Sequence, residues 1–433
     1  MKSIQKEKGN KIYFLFFLWF KKRNYVKIIY CSNIFIRIQR RKRFTMEKEI
    51  YFDNSATTRP FEDVIDYISF INGNVYGNPS SLHTKGIEAE KEVRKARKRI
   101  ALSMDADDKE IYFTSGGTES NNLAILGYLG ANPRKGKHII TTGIEHPSVL
   151  EVYRHLEGAG YRVDYVGVDK NGIIDIEDLK NKITDDTSLI SIILVNNEVG
   201  SIQPVDEVVR AKELLNKNAV IHVDAVQAYG KIKIYPKKTG VDMMSLSSHK
   251  IHGPKGVGAI YVNKFIRIKP VLYGGGQEAL IRSGTENVSG IGGFGLASEI
   301  IFNGIEENFS KVSRIKSLFI EKLKEKIEDY KVISPENSSP YILNVSFGGV
   351  RAEVLLHHLE ERSVFVSTGS ACSSRKNLHS HVLKAMGYEP CDIEGAIRFS
   401  FSSFNNEEQA VKTVDILKEI LLKIRRPMKM SKR

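Results

Sequence analysis

The chain has 433 residues, 41% hydrophobic and 27% charged, which excludes the compositional extremes and suits a soluble globular protein of about two domains. A net charge of +14 suggests a nucleic-acid binder, but residues 1–45 hold 13 Lys/Arg and one acid. That segment carries +12, leaving +2 for residues 46–433, so no direct nucleic-acid partner is expected. Three cysteines, Cys31, Cys372 and Cys391, match neither a disulfide framework nor a zinc site. No metal is expected, and a reducing cytoplasm fits.

Residues 1–45 form a basic extension. Ile12 to Phe20 is a nine-residue apolar run between Lys11 and Lys21-Lys22-Arg23, too short for an ordinary transmembrane helix. No small-residue cleavage site follows it. The segment reads as translated upstream sequence without ordered structure, with an interfacial anchor or a targeting peptide as alternatives. Met46 opens Met-Glu-Lys-Glu-Ile-Tyr-Phe-Asp, a natural start for a first strand.

From about residue 61, apolar runs alternate with amphipathic stretches. The pattern predicts strands at 111–114, 138–142, 162–166, 189–194, 220–224, 242–246 and 258–262. It predicts helices at 86–102, 118–129, 147–158, 175–182 and 204–216. Such alternation indicates an α/β domain with a mostly parallel, doubly covered sheet of seven strands, spanning 61–303. Ligands in such sheets bind beyond the C-terminal strand ends. A smaller α+β domain is expected from 46–60 and 304–433. It would have helices at 304–329, 351–361, 380–387 and 406–424, strands at 341–347, 363–367 and 396–402, and a polar loop at 368–379.

Two strand ends carry the chemistry. Lys250 follows an apolar strand in Ser247-Ser248-His249-Lys250, and Asp224 ends another in Val220-Ile221-His222-Val223-Asp224. A lysine can form a Schiff base with an aldehyde cofactor, and an aspartate can hold a protonated ring nitrogen. Those are the protein groups that pyridoxal 5'-phosphate (PLP) requires. Thr114-Ser115-Gly116-Gly117-Thr118 follows a strand and opens a helix, so Gly117 and Thr118 could receive its phosphate; a plain capped turn is the alternative. His146 could stack on a flat ring and handle protons, or simply open a helix beside Pro147. Asn197 could meet the ring's phenolate side, or belong to a polar turn. Cys372 lies in the small, polar run Thr368-Gly369-Ser370-Ala371-Cys372-Ser373-Ser374, where a thiol can ionise and move. Cys391 reads as structural or incidental. Arg398, inside an apolar strand, could clamp a substrate carboxylate or make an internal salt bridge.

These residues resemble the NifS/IscS-type cysteine desulfurases, fold-type I PLP enzymes, from Tyr51 to about residue 424. The segments that carry the resemblance are Tyr-Phe-Asp-Asn-Ser-Ala-Thr-Thr (51–58), Tyr-Gly-Asn-Pro-Ser-Ser (76–81), Thr-Ser-Gly-Gly-Thr-Glu-Ser-Asn (114–121), Glu-His (145–146), Asn-Asn-Glu (196–198), His-Val-Asp-Ala-Val-Gln (222–227), Ser-His-Lys (248–250), Gly-Pro-Lys-Gly (253–256), Arg-Ser-Gly-Thr (282–285), Gly-Ser-Ala-Cys (369–372) and Ile-Arg-Phe-Ser (397–400). The resemblance implies that Lys250 attaches the cofactor, Asp224 pairs with the pyridine nitrogen, and Gln227 meets the phenolate with Asn197 nearby. It implies that His146 stacks on the ring and relays protons. Gly117, Thr118, Ser247 and His249 would hold the phosphate. Thr285 would do so from the neighbouring subunit, which implies a homodimer. Arg398 would clamp the substrate carboxylate, and Cys372 would carry the persulfide. Gly117 and Ser248 stand where alanine and glycine are usual. The implied reaction converts L-cysteine to L-alanine and passes sulfur to an iron–sulfur scaffold or a tRNA-thiolation enzyme. The rival readings are a selenocysteine lyase, an aminotransferase, and a non-catalytic scaffold.

Overall fold

The computed structural model describes residues 4–7, 12–15, 49–369 and 380–430, with side chains of the last helix through Arg425. Where the sequence suggests no order in residues 1–45, two short strands occur. Strand β1 (Ile4–Glu7) pairs antiparallel with β2 (Ile12–Leu15), Ile4 opposite Leu15. β2 reads Ile-Tyr-Phe-Leu, good strand formers.

The second unit runs from Glu49 to the C-terminus. It opens with β3 (Ile50–Tyr51), α1 (Glu62–Asn74) and α2 (Thr84–Ser103). The central sheet then alternates with helices: β4 (Ile111–Thr114), α3 (Gly117–Ala131), β5 (His138–Thr142), α4 (Pro147–Gly158), β6 (Arg162–Val166), α5 (Ile176–Lys182), β7 (Thr187–Ile193), α6 (Val205–Leu215), β8 (Val220–Asp224), α7 (Pro236–Thr239), β9 (Met243–Ser247) and β10 (Gly258–Val262). The strand order is β4-β10-β9-β8-β7-β5-β6. β10 runs antiparallel to both neighbours and every other pairing is parallel.

All seven residues of β7 are buried, as expected of a strand covered on both faces. Alternation along the strands feeds two cores. Ile139, Val220, Met243 and Ile260 join α3 and α4 on one face. Ile140, Ile221, Met244 and Ala259 join the other, which also holds residues of α2, α6 and the C-terminal region.

Helices α8 (Val288–Asn303) and α9 (Ile305–Lys326) lead to the second sheet. It comprises β11 (Tyr330–Val332), β12 (Ile342–Phe347), β14 (Ser367–Thr368) and β15 (Ala396–Ser400), in the order β11-β12-β15-β14 and antiparallel throughout. Helix α10 (Ala352–Glu361) precedes β13 (Val364–Phe365), and α11 (His381–Ala385), α12 (Pro390–Glu394) and α13 (Glu407–Met430) complete the chain. β13 pairs in parallel with β3, so the strand expected at 363–367 is split between two partners. Phe52 stacks edge-on against Phe401 at 5.0 Å, and Phe319 lies 4.8 Å from Phe399, tying the start of the unit to its end.

Sequence patterning misses α1 and α8. Helix α8 carries Gly290, Gly292, Gly293 and Gly295, poor helix formers in isolation. Its neighbours account for two of them: a Cβ at Gly295 would lie 2.5 Å from Ala96 Cα, and one at Gly292 2.5 Å from Ile71 Cδ1. Packing against α1 and α2 outweighs propensity.

Candidate active site

Because β4, β5, β7, β8 and β9 are parallel, their C-terminal ends share one edge of the sheet. Thr118, His146, Asn197, Asp224 and Lys250 all follow or end these strands. β10 arrives antiparallel, and Gly258 at its start comes so near Gly116 that a Cβ there would lie 2.7 Å from the Gly116 backbone. Gly116 has φ 155° and ψ −178°, a region open only to glycine, and this bend aims the N-terminus of the 15-residue α3 at the shared edge.

Asp224 is buried. Its Oδ2 accepts from Asn121 Nδ2 at 2.8 Å and its Oδ1 from the Val226 amide at 3.0 Å. Asn121 Nδ2 also donates to Ser148 Oγ at 2.8 Å, and Ser148 Oγ lies 2.8 Å from His146 Nδ1. The Ser148 amide donates to the same Nδ1 at 3.1 Å, making His146 the cap of α4. With both Asn121 amide hydrogens used, the Ser148 hydroxyl proton goes to Nδ1, so neutral His146 carries its own proton on Nε2. Burial, with Lys250 and His381 nearby, holds the imidazole below its ordinary range against the opposing pull of Asp224.

Lys250 Nζ donates to the backbone oxygens of Ser55 and Ala56, the latter at 2.8 Å. Gln227 Nε2 donates to the same Ser55 oxygen at 2.9 Å, and Lys231 Nζ donates to Gln227 Oε1 at 2.6 Å. His249 Nδ1 lies 3.2 Å from Thr57 Oγ1, and burial beside Lys250 pushes it down to about 4.

Arg398 sits on β15, 3% exposed. Its Nη1 donates to the Asn197 oxygen at 3.0 Å and its Nη2 to Asp53 Oδ1 at 2.9 Å. Its Nε is a buried donor with no partner among the described residues. Asn196, not Asn197, builds the turn after β7: its Oδ1 accepts from the amides of Glu198 and Val199. That leaves Asn197 half-buried with its backbone on Arg398.

Cys372 lies outside the described residues, but both flanks of its segment meet Glu198. Ser380 Oγ donates to Glu198 Oε2 at 2.5 Å, and a Cβ at Gly369 would lie 2.4 Å from that same oxygen. Complete burial pushes Glu198 up to about 7. Thr118 and Thr285 are exposed. Exposed Cys391 lies on α12. Among the described residues, no group of His, Cys, Asp and Glu could hold a metal ion.

The residues present fit PLP. The Ser247 hydroxyl is buried without a partner beside the start of α3, where helix N–H groups and a spare hydroxyl suit a phosphate. A fixed carboxylate, an amine and an orphaned guanidinium donor share the same edge. Sequence reasoning missed Ser55, Asn121, Ser148, Lys231 and Glu198. Asn121 had a signal, lying one helical turn beyond Thr118 on the helix that bears the cradle. The others had none, since their roles depend on distant partners.

Known proteins resemble the chain over most of its length. The profile of class V aminotransferases matches residues 50–413. A cysteine desulfurase from Nostoc sp. PCC 7120 is 42% identical over 87% of the chain and 94% of its own length. The cysteine desulfurase IscS of Clostridium botulinum is 40% identical over 88% of the chain and 96% of its own length. A solved NifS-like protein superposes with a TM-score of 0.82 at 40% identity, covering 86% of this chain and 99% of the other. A solved SspA in complex with cysteine reaches 0.73 at 31% identity, covering 82% and 99%. The chain belongs to the class V aminotransferases, on their NifS-like cysteine desulfurase branch.

Proposed function

We propose that this cysteine desulfurase holds PLP on Lys250 and converts L-cysteine to L-alanine with a persulfide on Cys372. The observation that carries the reading is the convergence of Lys250, buried Asp224 and the unpaired Arg398 Nε on one sheet edge. When bound, PLP supplies an aldehyde for covalent attachment and an electron sink for the substrate's α-carbon. Asp224, held by Asn121, would keep the ring nitrogen protonated. Ser247, Thr118, His249 and the amides at Gly117 would hold the phosphate, with Thr285 reaching it from a second copy in a homodimer. Gln227, with Asn197, would donate to the phenolate side.

Arg398 takes the α-carboxylate of L-cysteine and so orients its α-hydrogen toward Lys250. Lys250 removes and returns that proton, and His146, neutral with its proton on Nε2, relays a second. The Cys372 thiolate attacks the substrate sulfur. As the Cβ–S bond breaks, its electron pair stays on Cβ and is protonated to the methyl group of alanine. Cys372 is left as a persulfide, from which sulfur passes to an acceptor protein, either an iron–sulfur scaffold or a tRNA-thiolation enzyme. Among the described residues no single helix is long and apolar enough to cross a membrane. The reading takes the enzyme to be cytoplasmic.

The test is release of alanine and sulfide from L-cysteine with a thiol reductant, using the cofactor-loaded protein and its Cys372→Ala variant. Loss of activity with retained cofactor absorbance supports the reading. Equal activity in both removes persulfide chemistry from Cys372.

A further inference from the structure

Lys250 ends a single short helical turn, Ser248–Lys250, directly after β9. Two residues later His252 has φ 65°, a left-handed conformation that residues other than glycine seldom adopt. The amides of Ile251 and Gly253 both bond to the Ser248 oxygen at 3.1 Å. The His249 oxygen and the His252 amide, one on each side of Lys250, find their partners outside the turn. Both meet Thr58. The Thr58 amide and hydroxyl each donate to the His249 oxygen at 2.9 Å, and the hydroxyl oxygen accepts from the His252 amide at 2.7 Å. One buried hydroxyl thus bridges the backbone before and after the lysine.

Thr58 is itself held on both sides. Upstream, Asn54 Nδ2 donates to the Ser400 oxygen and the Ser55 amide to Ser400 Oγ, both at 2.9 Å. Downstream, the Phe61 amide donates to the His252 oxygen at 3.0 Å. His252 Nδ1 lies 2.7 Å from the Arg59 oxygen, so that nitrogen carries the proton. The His252 ring packs against Phe61 and Phe404, each 4.7 Å away between centroids. The hydroxyl is therefore presented to the lysine turn from a fixed segment. Threonine suits the place because its hydroxyl donates and accepts at once, whereas valine has the same outline and can do neither.

We propose that Thr58 is a positioning residue for Lys250: its hydroxyl, bonded to the backbone on both sides of the lysine, fixes the direction in which that side chain leaves the turn. The proposal rests on the reading that Lys250 is the attachment lysine. In attachment the lysine nitrogen bonds the aldehyde carbon of PLP, and the aldehyde oxygen departs as water. That step needs the nitrogen within a narrow range of positions. A turn released from Thr58 samples directions in which the amine misses the carbon. The loss then falls on the covalent step, over and above any effect on the pocket that receives the cofactor.

The test is a double-mutant cycle read by binding, with no turnover. PLP affinity of the full-length apoprotein is measured by equilibrium dialysis in the wild type, Thr58→Val, Lys250→Ala and the double variant. Borohydride trapping and mass spectrometry record where the cofactor is attached. Thr58→Val weakens binding about tenfold more when Lys250 is present than when alanine replaces it, the scale of one buried hydrogen bond. Thr58→Ser, which keeps the hydroxyl, restores wild-type affinity. If the valine variant does not fold, Thr58→Ala is read in the same cycle. Equal losses in the two backgrounds, or no loss in either, overturn the proposal. A cofactor trapped on the Lys250→Ala protein would instead sink the underlying reading, whatever the Thr58 variants do.

Discussion

Replacing Arg398 by lysine puts the proposed carboxylate clamp under direct test. The guanidinium spends Nη1 on the Asn197 oxygen and Nη2 on Asp53, and its buried Nε is left over. Leaving such a donor unpaired costs about 1–3 kcal/mol, a cost an incoming anion removes. Lysine keeps the charge but replaces a planar fork with one compact ammonium group. Its three hydrogens leave at most one for a substrate carboxylate once Asp53 and Asn197 are served, so the substrate loses at least one charge-assisted hydrogen bond, about 1.5–3 kcal/mol. At about 1.4 kcal/mol per factor of ten, kcat/KM for L-cysteine falls roughly 10- to 100-fold. The loss appears as a raised KM in an alanine-release assay, with the cofactor absorbance unchanged. Cysteamine, which lacks the carboxylate, should turn over equally slowly in both proteins. An unchanged KM for L-cysteine would refute the clamp and leave Arg398 as a structural partner of Asp53.

Further outcomes follow from the same geometry. Ser148→Ala removes the hydroxyl that stabilises the neutral form of His146 at Nδ1, so the acid limb of the pH–rate profile moves to higher pH; an unmoved limb contradicts that role. His222 and His252 are buried and His249 half-buried, with pKa values pushed down to about 3, 4 and 4 for His222, His249 and His252, below the unfolded value of 6.5. The unfolded chain therefore binds more protons over that window, and stability falls as pH drops from 6.5 toward 4, as urea melts across that range should record. Glu198 has the opposite sign. Its folded pKa of about 7 lies above 4.5, so the native state binds the extra proton and stability falls as pH rises through that interval. Glu198→Gln should flatten that decline between pH 5 and 8, and an identical slope would count against it. In Gly117→Ala the new Cβ would lie 2.7 Å from Val226 Cγ2, an overpacking cost of about 1–3 kcal/mol. Val226→Ala should recover it in a double-mutant cycle, whereas strict additivity would show that the two residues do not touch.

The central sheet was legible because its strands are apolar runs punctuated by turns. β4, β5, β6, β8 and β10 occupy the expected residues, and β7 and β9 differ by one or two at their ends. Strand ends were legible too, which is why residues 146, 197, 224 and 250 could be placed on a common edge before any coordinates. α8 was hidden because its glycines lower local propensity while serving a close approach to Ala96 and Ile71 that only tertiary packing reveals. Lys231 was hidden for a different reason. A lysine in Tyr-Gly-Lys-Ile reads as a solvated charge, and only the Gln227 contact shows it to be buried. Ser55 lies 195 residues from Lys250, a separation no local pattern spans.

That separation bears on how the enzyme is made. The residues after β3 hold Lys250 through Ser55 and Ala56, and they are themselves fastened by the far end of the chain. Asn54 donates to the Ser400 oxygen, and Asn405 donates to the Tyr51 oxygen. Contacts this distant in sequence form late, after a large loop-closure entropy has been overcome. A ribosome delivering the chain from its amino end releases Lys250 long before Asn405. The nascent protein therefore carries the proposed attachment lysine without the strap that positions it, and, on that reading, capture of the cofactor becomes an event of the finished polypeptide. Cofactor supply would then act as a checkpoint on completed molecules and leave translating ones untouched.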